Sequence, residues 1–211
     1  MMGWFDISSS PEASTAKSIN IPLFPLKTVL FPGSLLPLRI FEQRYLDMAA
    51  ICMRQNTPFG ICLIDNGEET GQAAEPHAVG TLAEITQWDM EQLGILQVTV
   101  RGTERFRILE KKTSEQQLLE AHVEIIPNYF GQEIPPERQR LRPLLQRILK
   151  ELGAERAPEP HFPEDAEWVS YRITEILPVQ NLAKQKLLEL EDPVMRLEIL
   201  ERFLDQRELL G

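Results

Sequence analysis

The hydrophobic positions change period partway along this chain. From Ile19 to about Tyr129 the apolar residues come in short, mostly alternating runs punctuated by glycine or proline at positions such as 33, 60, 67, 80, 94 and 102. That pattern predicts strands. Leu96, Val98 and Val100 alternate with Gln97 and Thr99, and Ala121, Val123 and Ile125 with His122 and Glu124, each giving one buried and one wetter face. Phe59 to Ile64 is apolar on both faces, as a doubly covered central strand would be. One helix interrupts these runs: Phe41, Tyr45, Met48 and Cys52 share a face at helical spacing and leave Glu42, Gln43 and Asp47 outside. Such a helix suits the end of a small curled sheet.

Beyond Tyr129 the period becomes helical. Leu141, Leu144, Leu145, Ile148, Leu149 and Leu152 form one stripe, with Gly153 placed to end it and Pro143 requiring either a helix start nearby or a kink. A proline-rich loop to Pro163 leads into a helix over about 164–177 carrying Trp168, Val169, Ile173 and Ile176, stopped by Pro178. A third helix spans about 179–190. Asp192-Pro193 then supplies an N-cap and a proline at the first helical position for a fourth, with Val194, Leu197, Leu200 and Leu204 facing inward. The chain is therefore read as α+β: a mobile tail over 1–18, a β-rich part over 19–130 and a helical bundle over 131–211.

The densest segment is Ile21 to Tyr45. Pro32-Gly33 fits the central pair of a type II turn between apolar runs Phe24–Phe31 and Leu35–Ile40, while Pro22, Pro25 and Pro37 mark strand starts, edges or bulges. Segments PLFPL (22–26), VLFPG (29–33), LPLRIFEQRYLDM (36–48), FGICLI (59–64), VGTLAEI (79–85), VRGTERFRI (100–108) and KQKLLELEDPVMRLEIL (184–200) resemble, in order and spacing, the N-terminal substrate-recognition domain of Lon (La) proteases, as found in stand-alone LON-domain proteins. The resemblance covers about 19–205. It implies a PUA-like curled sheet or pseudo-barrel with one helix, followed by a helical bundle. The function it implies is non-catalytic binding of unfolded or degron-bearing polypeptide as an adaptor or recognition domain, with a protease machine as a further partner. Within its motifs Phe31, Arg39, Glu42 and Tyr45 read as fold determinants, with Phe31 shaping the turn and Arg39 placed to pair with Glu42.

Charge and composition narrow the chemistry. A net charge of −10 is spread along the 211 residues, so no segment offers the basic field that nucleic acid requires. Arg101, Arg105, Arg107, Lys111 and Lys112 form the notable cationic cluster; alternation with Phe106 and Ile108 assigns Arg105 and Arg107 to a solvated strand face partly balanced by Glu104 and Glu110. No apolar run approaches a membrane span, and the start lacks a signal peptide's pattern, so a soluble, cytoplasmic protein is expected. Cys52 and Cys62 read as buried free thiols, and the three scattered histidines give no zinc spacing. No metal and no cofactor are expected: the Asp65–Glu69 loop lacks EF-hand spacing and reads as a solvated turn.

There is no phosphate-binding G-x-x-x-x-G-K-[ST] loop, no G-x-S-x-G elbow and no H-E-x-x-H pair, and Ser34, Ser114 and Ser170 read as structural or solvated. An enzyme is not expected. Exposed apolar residues beside pairable backbone are what polypeptide recognition needs. Trp88, Met90 and Leu93 fall between predicted strands, where they either fold back or meet a ligand. Tyr129 and Phe130, at the change of period, either pack between the two parts or line a groove. A small-molecule or RNA site on the PUA-like sheet is the alternative reading, and a hydrolase using paired carboxylates or a lone serine is a third.

Overall fold

A computed structural model describes residues 17–152 and 160–208. Among these residues seven strands form one sheet: β1 (Ser18–Leu26), β2 (Leu35–Ile40), β3 (Phe59–Asn66), β4 (Glu75–Pro76), β5 (Val79–Gln92), β6 (Ile95–Thr113) and β7 (Leu119–Ile126). Their order is β1-β7-β6-β5-β3-β4, and a parallel pairing of β1 with β3 closes the ring. The result is a pseudo-barrel, as the resemblance implies.

Alternation builds two cores from these strands. Ile21, Leu23, Cys62, Leu82, Phe106, Ala121 and Val123 fill the interior of the ring. On the outer side, Phe24, Phe59, Ile61, Leu96, Val98 and Val100 pack against α1 (Gln43–Gln55) through Tyr45, Met48, Ala49 and Cys52. Phe24 stacks on Tyr45 with ring centroids 4.0 Å apart. Burying such side chains contributes about 1.5–3 kcal/mol each, which fixes the helix against the sheet. Phe41 was expected on that face but precedes the helix and is 57% exposed, because the chain is still extended there and turns only at Glu42.

The first strand also differs from expectation. It runs Ser18–Leu26, so Ser18 belongs to the sheet rather than to a tail, and Lys27 to Ser34 is connection rather than strand. Pairing with β7 along Ser18–Leu23 decides this, a long-range contact that local hydrophobicity does not report. The Pro32-Gly33 reversal forms as predicted: Gly33 has φ of 80° and the Ser34 N–H donates to the Phe31 carbonyl at 3.1 Å. Gly102 is needed just beside it, since a Cβ there would stand 2.3 Å from the Phe31 carbonyl oxygen.

The helices are α2 (Leu141–Leu152), α3 (Ala166–Ile176), α4 (Asn181–Glu189) and α5 (Pro193–Asp205). Pro143 lies in the first turn of α2, where no ladder donor is required, so the helix starts there rather than kinking. Gly153 and most of the proline-rich loop lie outside the described residues. Asp192 caps α5 by accepting from the N–H groups of Val194 and Met195. Leu141, Leu145, Val169, Ile173, Leu197, Leu200 and Leu204 make the helical core, while Leu188 of α4 joins Phe31, Val79, Ile126 and Tyr171 in a small cluster shared with the sheet.

A buried polar network joins the helices to the sheet. Arg105, expected on a solvated face, is fully buried and donates to the carbonyls of Leu188 and Leu190, each at 2.9 Å. The reason is tertiary: Phe106 fills the ring interior, so Arg105 points out of the ring, and the helices cover that outer side. Arg196 donates to the Leu187 carbonyl at 2.8 Å and lies 4.1 Å over the Tyr171 ring. Arg172 donates to the Pro32 carbonyl at 2.9 Å and to Ser34 Oγ at 2.6 Å, tying α3 to the turn. Glu167 accepts from the Tyr129 N–H at 2.6 Å and stands 4.0 Å from Arg105. Burial raises the Glu167 carboxyl above its usual range, and burial pushes the Tyr171 phenol up to about 12.

Candidate functional site

The sheet grows a projecting arm where β5 and β6 run on past the ring as a hairpin. β2 takes the edge of β6 that β7 occupies further along, so the arm is three-stranded, in the order β2-β6-β5. Residues opposite one another in an antiparallel ladder share a face. One face therefore carries the cross-strand rows Leu36–Val100–Ile85 and Leu38–Val98–Trp88. The β6 residues of these rows and Ile85 pack in the cluster that α1 covers, but Trp88 lies outside it. Trp88 is 64% exposed for that reason.

Trp88, Met90 and Leu93 all lie on this hairpin. Trp88 and Met90 lie within β5 rather than in a loop between strands, Leu93 lies in the turn between β5 and β6, and none of the three folds back. Register shifts between Ile85 and Gln87 and between Asp89 and Gln92 break the alternation that would have marked the stretch as strand. Gly94, with φ of 81°, closes the turn and leaves Leu93 at the tip, 95% exposed. Asp89 Oδ1 accepts from the Met90 N–H at 2.7 Å, which fixes the backbone near the tip. The opposite face is polar: its rows are Pro37–Thr99–Gln87 and Arg39–Gln97–Asp89, over a shallow concavity of about 500 Å³. The contribution of Leu38 was not read from sequence, although its spacing from Leu36 and Ile40 carried the signal.

Tyr129 and Phe130 form a separate patch. The Asn128 side chain donates to the Thr103 carbonyl, eight residues along β6 from the hairpin end; at strand rise that is roughly 26 Å of chain. The backbone of Tyr129 is held by Glu167, but its ring is 43% exposed and that of Phe130 62% exposed, so neither is buried between sheet and helices. Phe130 faces Phe162 and Pro163 across a concavity of about 590 Å³.

The other candidates resolve as architecture. Glu42 pairs with Arg44 at 3.1 Å rather than with Arg39, which points from the polar face of the arm. Ser34 Oγ receives Arg172, Ser170 Oγ donates to the Glu167 carbonyl and receives Arg196, and Ser114 Oγ receives the Leu118 N–H. In the acidic loop, Glu68 pairs with Lys27 and Asp65 faces His77 at 3.6 Å. Among the described residues no three His, Cys, Asp or Glu side chains gather to hold a metal, and no helix is long and apolar enough to cross a membrane. Both cysteines are buried free thiols, and burial raises the pKa of each. The cationic cluster is dispersed: Arg105 is buried, Arg107 faces Glu124 and Glu191, Lys111 pairs with Glu75 and Lys112 with Glu120.

Comparison with known proteins places this architecture. A Lon N-terminal domain protein from Xanthomonas campestris superposes with a TM-score of 0.75 at 34% identity, covering 88% of this chain and 98% of that one. The N-terminal domain of the Mycobacterium avium complex Lon protease shares the fold, with a TM-score of 0.62 at 19% identity over 89% of this chain and 98% of that one. A Lon protease from Cytophaga hutchinsonii is 23% identical over 200 residues, covering 88% of this chain, and protein cereblon from Gallus gallus is 33% identical over 111 residues, covering 51%. The chain spans 24% of the length of each of these last two proteins. Residues 20–206 match the model of the ATP-dependent protease La (LON) substrate-binding domain, and the chain belongs to that family.

Proposed function

We propose that this chain is a polypeptide-binding module that grips unfolded or degron-bearing segments and performs no cleavage itself, acting as an adaptor or recognition domain. The observation that carries the reading is the exposed apolar end of the β5–β6 hairpin. Trp88, Met90 and Leu93 stand clear of every core cluster, on a projecting antiparallel arm, where large apolar side chains are costly unless a partner covers them. Aromatic anchors of this kind dominate binding energy at protein interfaces. Family membership supports the same class of ligand, and the Lon proteases among its relatives support a role beside a protease machine. Pairing of the cationic strip with carboxylates supports leaving nucleic acid out of the partners.

Fluorescence anisotropy of a labelled casein, unfolded without denaturant, tests the proposal. The wild-type chain is expected to bind in the micromolar range, and Trp88→Ala combined with Leu93→Ser to weaken binding at least tenfold. Absence of binding by the wild type, or unchanged affinity in the double variant, overturns the assignment to this surface.

A further inference from the structure

The edge of β2 has a hydrogen-bonding pattern that can be worked out residue by residue. The Gly102 N–H donates to the Ser34 carbonyl at 2.9 Å, so that carbonyl faces β6. Backbone groups alternate sides along an antiparallel strand, and the β2–β6 register runs without a shift from Leu35 opposite Arg101 to Ile40 opposite Leu96. Leu36, Leu38 and Ile40 therefore face β6, while Leu35, Pro37 and Arg39 face away. Two details agree. Thr99, opposite Pro37, turns its carbonyl toward β5, where Thr86 Oγ1 donates to it at 3.0 Å, and a proline fits only a slot that owes no bond to the ladder. No other described strand pairs with β2.

The open edge thus presents the carbonyls of Leu35, Pro37 and Arg39 but only the N–H groups of Leu35 and Arg39. Its lower rim carries Leu38, in the same cross-strand row as Trp88. Resting on the polypeptide-binding reading above, we infer that an extended client segment adds to the arm as a further strand along β2. Its backbone pairs with Leu35 and Arg39, and its alternate side chains lie toward the apolar face that ends at Trp88. The surplus of acceptors selects the occupant. A client chain brings an N–H to every carbonyl, whereas a second copy of β2 brings its own proline and leaves carbonyls facing each other without a donor. Pro37 in this way discourages self-pairing, the usual hazard of an exposed edge, while leaving heterologous pairing possible.

Amide hydrogen exchange followed by NMR on the full chain, with and without casein, reads the pairing directly. Casein is expected to slow exchange at Leu35 and Arg39 at least tenfold and to change Leu36 and Leu38 little, since those amides already bond to β6. A second arm compares Arg39→Pro, which removes the donor in a slot of the same parity as Pro37, with Arg39→Ala, which keeps it. Affinity is expected to fall about fivefold or more in the first and little in the second. Binding that leaves both amides unprotected, or equal affinities in the two variants, overturns strand addition; the binding proposal itself survives that result if the Trp88 and Leu93 variant is still weak, and fails if the wild type does not bind. Doubling of the sedimentation mass without casein, with Leu35 and Arg39 protected, would assign the edge to a second copy and overturn the inference.

Discussion

Tyr171 shows at the residue scale how tertiary burial writes a pH dependence that composition does not contain. Its ring is 1% exposed beneath Arg196, and its hydroxyl donates to Glu167 at 3.3 Å. Burial pushes its pKa from 10 up to about 12, so the folded chain keeps a proton that the unfolded chain releases. A raised folded pKa gives stability that is whole below pH 10 and is lost as pH rises through 10 to 12. The expected size of that loss is roughly 2–3 kcal/mol. Urea unfolding across that range is expected to show the advantage of the wild type over Tyr171→Phe shrinking by this amount. A constant difference would mean that the phenol titrates as in water. Glu167 carries the same sign at the acid end, because burial raises its carboxyl too.

At the scale of the element, turn and capping chemistry is local and was legible, whereas strand limits were not. Pro32-Gly33 and Asp192-Pro193 act where their residue types place them, since a positive φ and an N-cap are decided by one or two residues. The limits of β1 and the reach of β5 depend instead on partners: β7 draws Ser18 into the sheet, and β6 carries β5 through its bulges to the tip. Gly102 records such a long-range demand. Its missing Cβ lets β6 approach the Phe31 turn, and the clash in Gly102→Ala is with backbone, which cannot rotate away. Thermal or urea unfolding of Gly102→Ala is expected to reveal a loss of roughly 2–3 kcal/mol. A loss near zero would show that the turn yields.

For the whole molecule the division is between a stapled body and a projecting arm. The buried contacts of Arg105 and Arg172 bind sheet and helices together at their common boundary, and those of Arg196 tie α5 to α3 and α4 beside it. The end of the arm lies outside that body, so its side chains contribute little to stability. Trp88→Ala with Leu93→Ser is accordingly expected to shift unfolding free energy by no more than about 0.5 kcal/mol while binding falls. A large loss of stability would place Trp88 in the core instead. That separation is what distinguishes a binding surface from a packing surface.

The sequence by itself determined the change from strand to helix period, the Pro-Gly reversal and the cap of α5, because period and turn chemistry are written in neighbouring residues, and the order of its motifs carried the resemblance to the family. It also picked out Trp88, Met90 and Leu93 as apolar residues in an unusual place. Only the tertiary structure decided which side of each strand is covered. Alternation assigns Arg105 and Phe106 to opposite faces but cannot say that helices bury the outer one, and it cannot say that the cluster under α1 leaves out Trp88. The open edge of β2 was hidden for the same reason: a proline marks an edge, but the direction of the remaining donors depends on which partner the strand has on its other side.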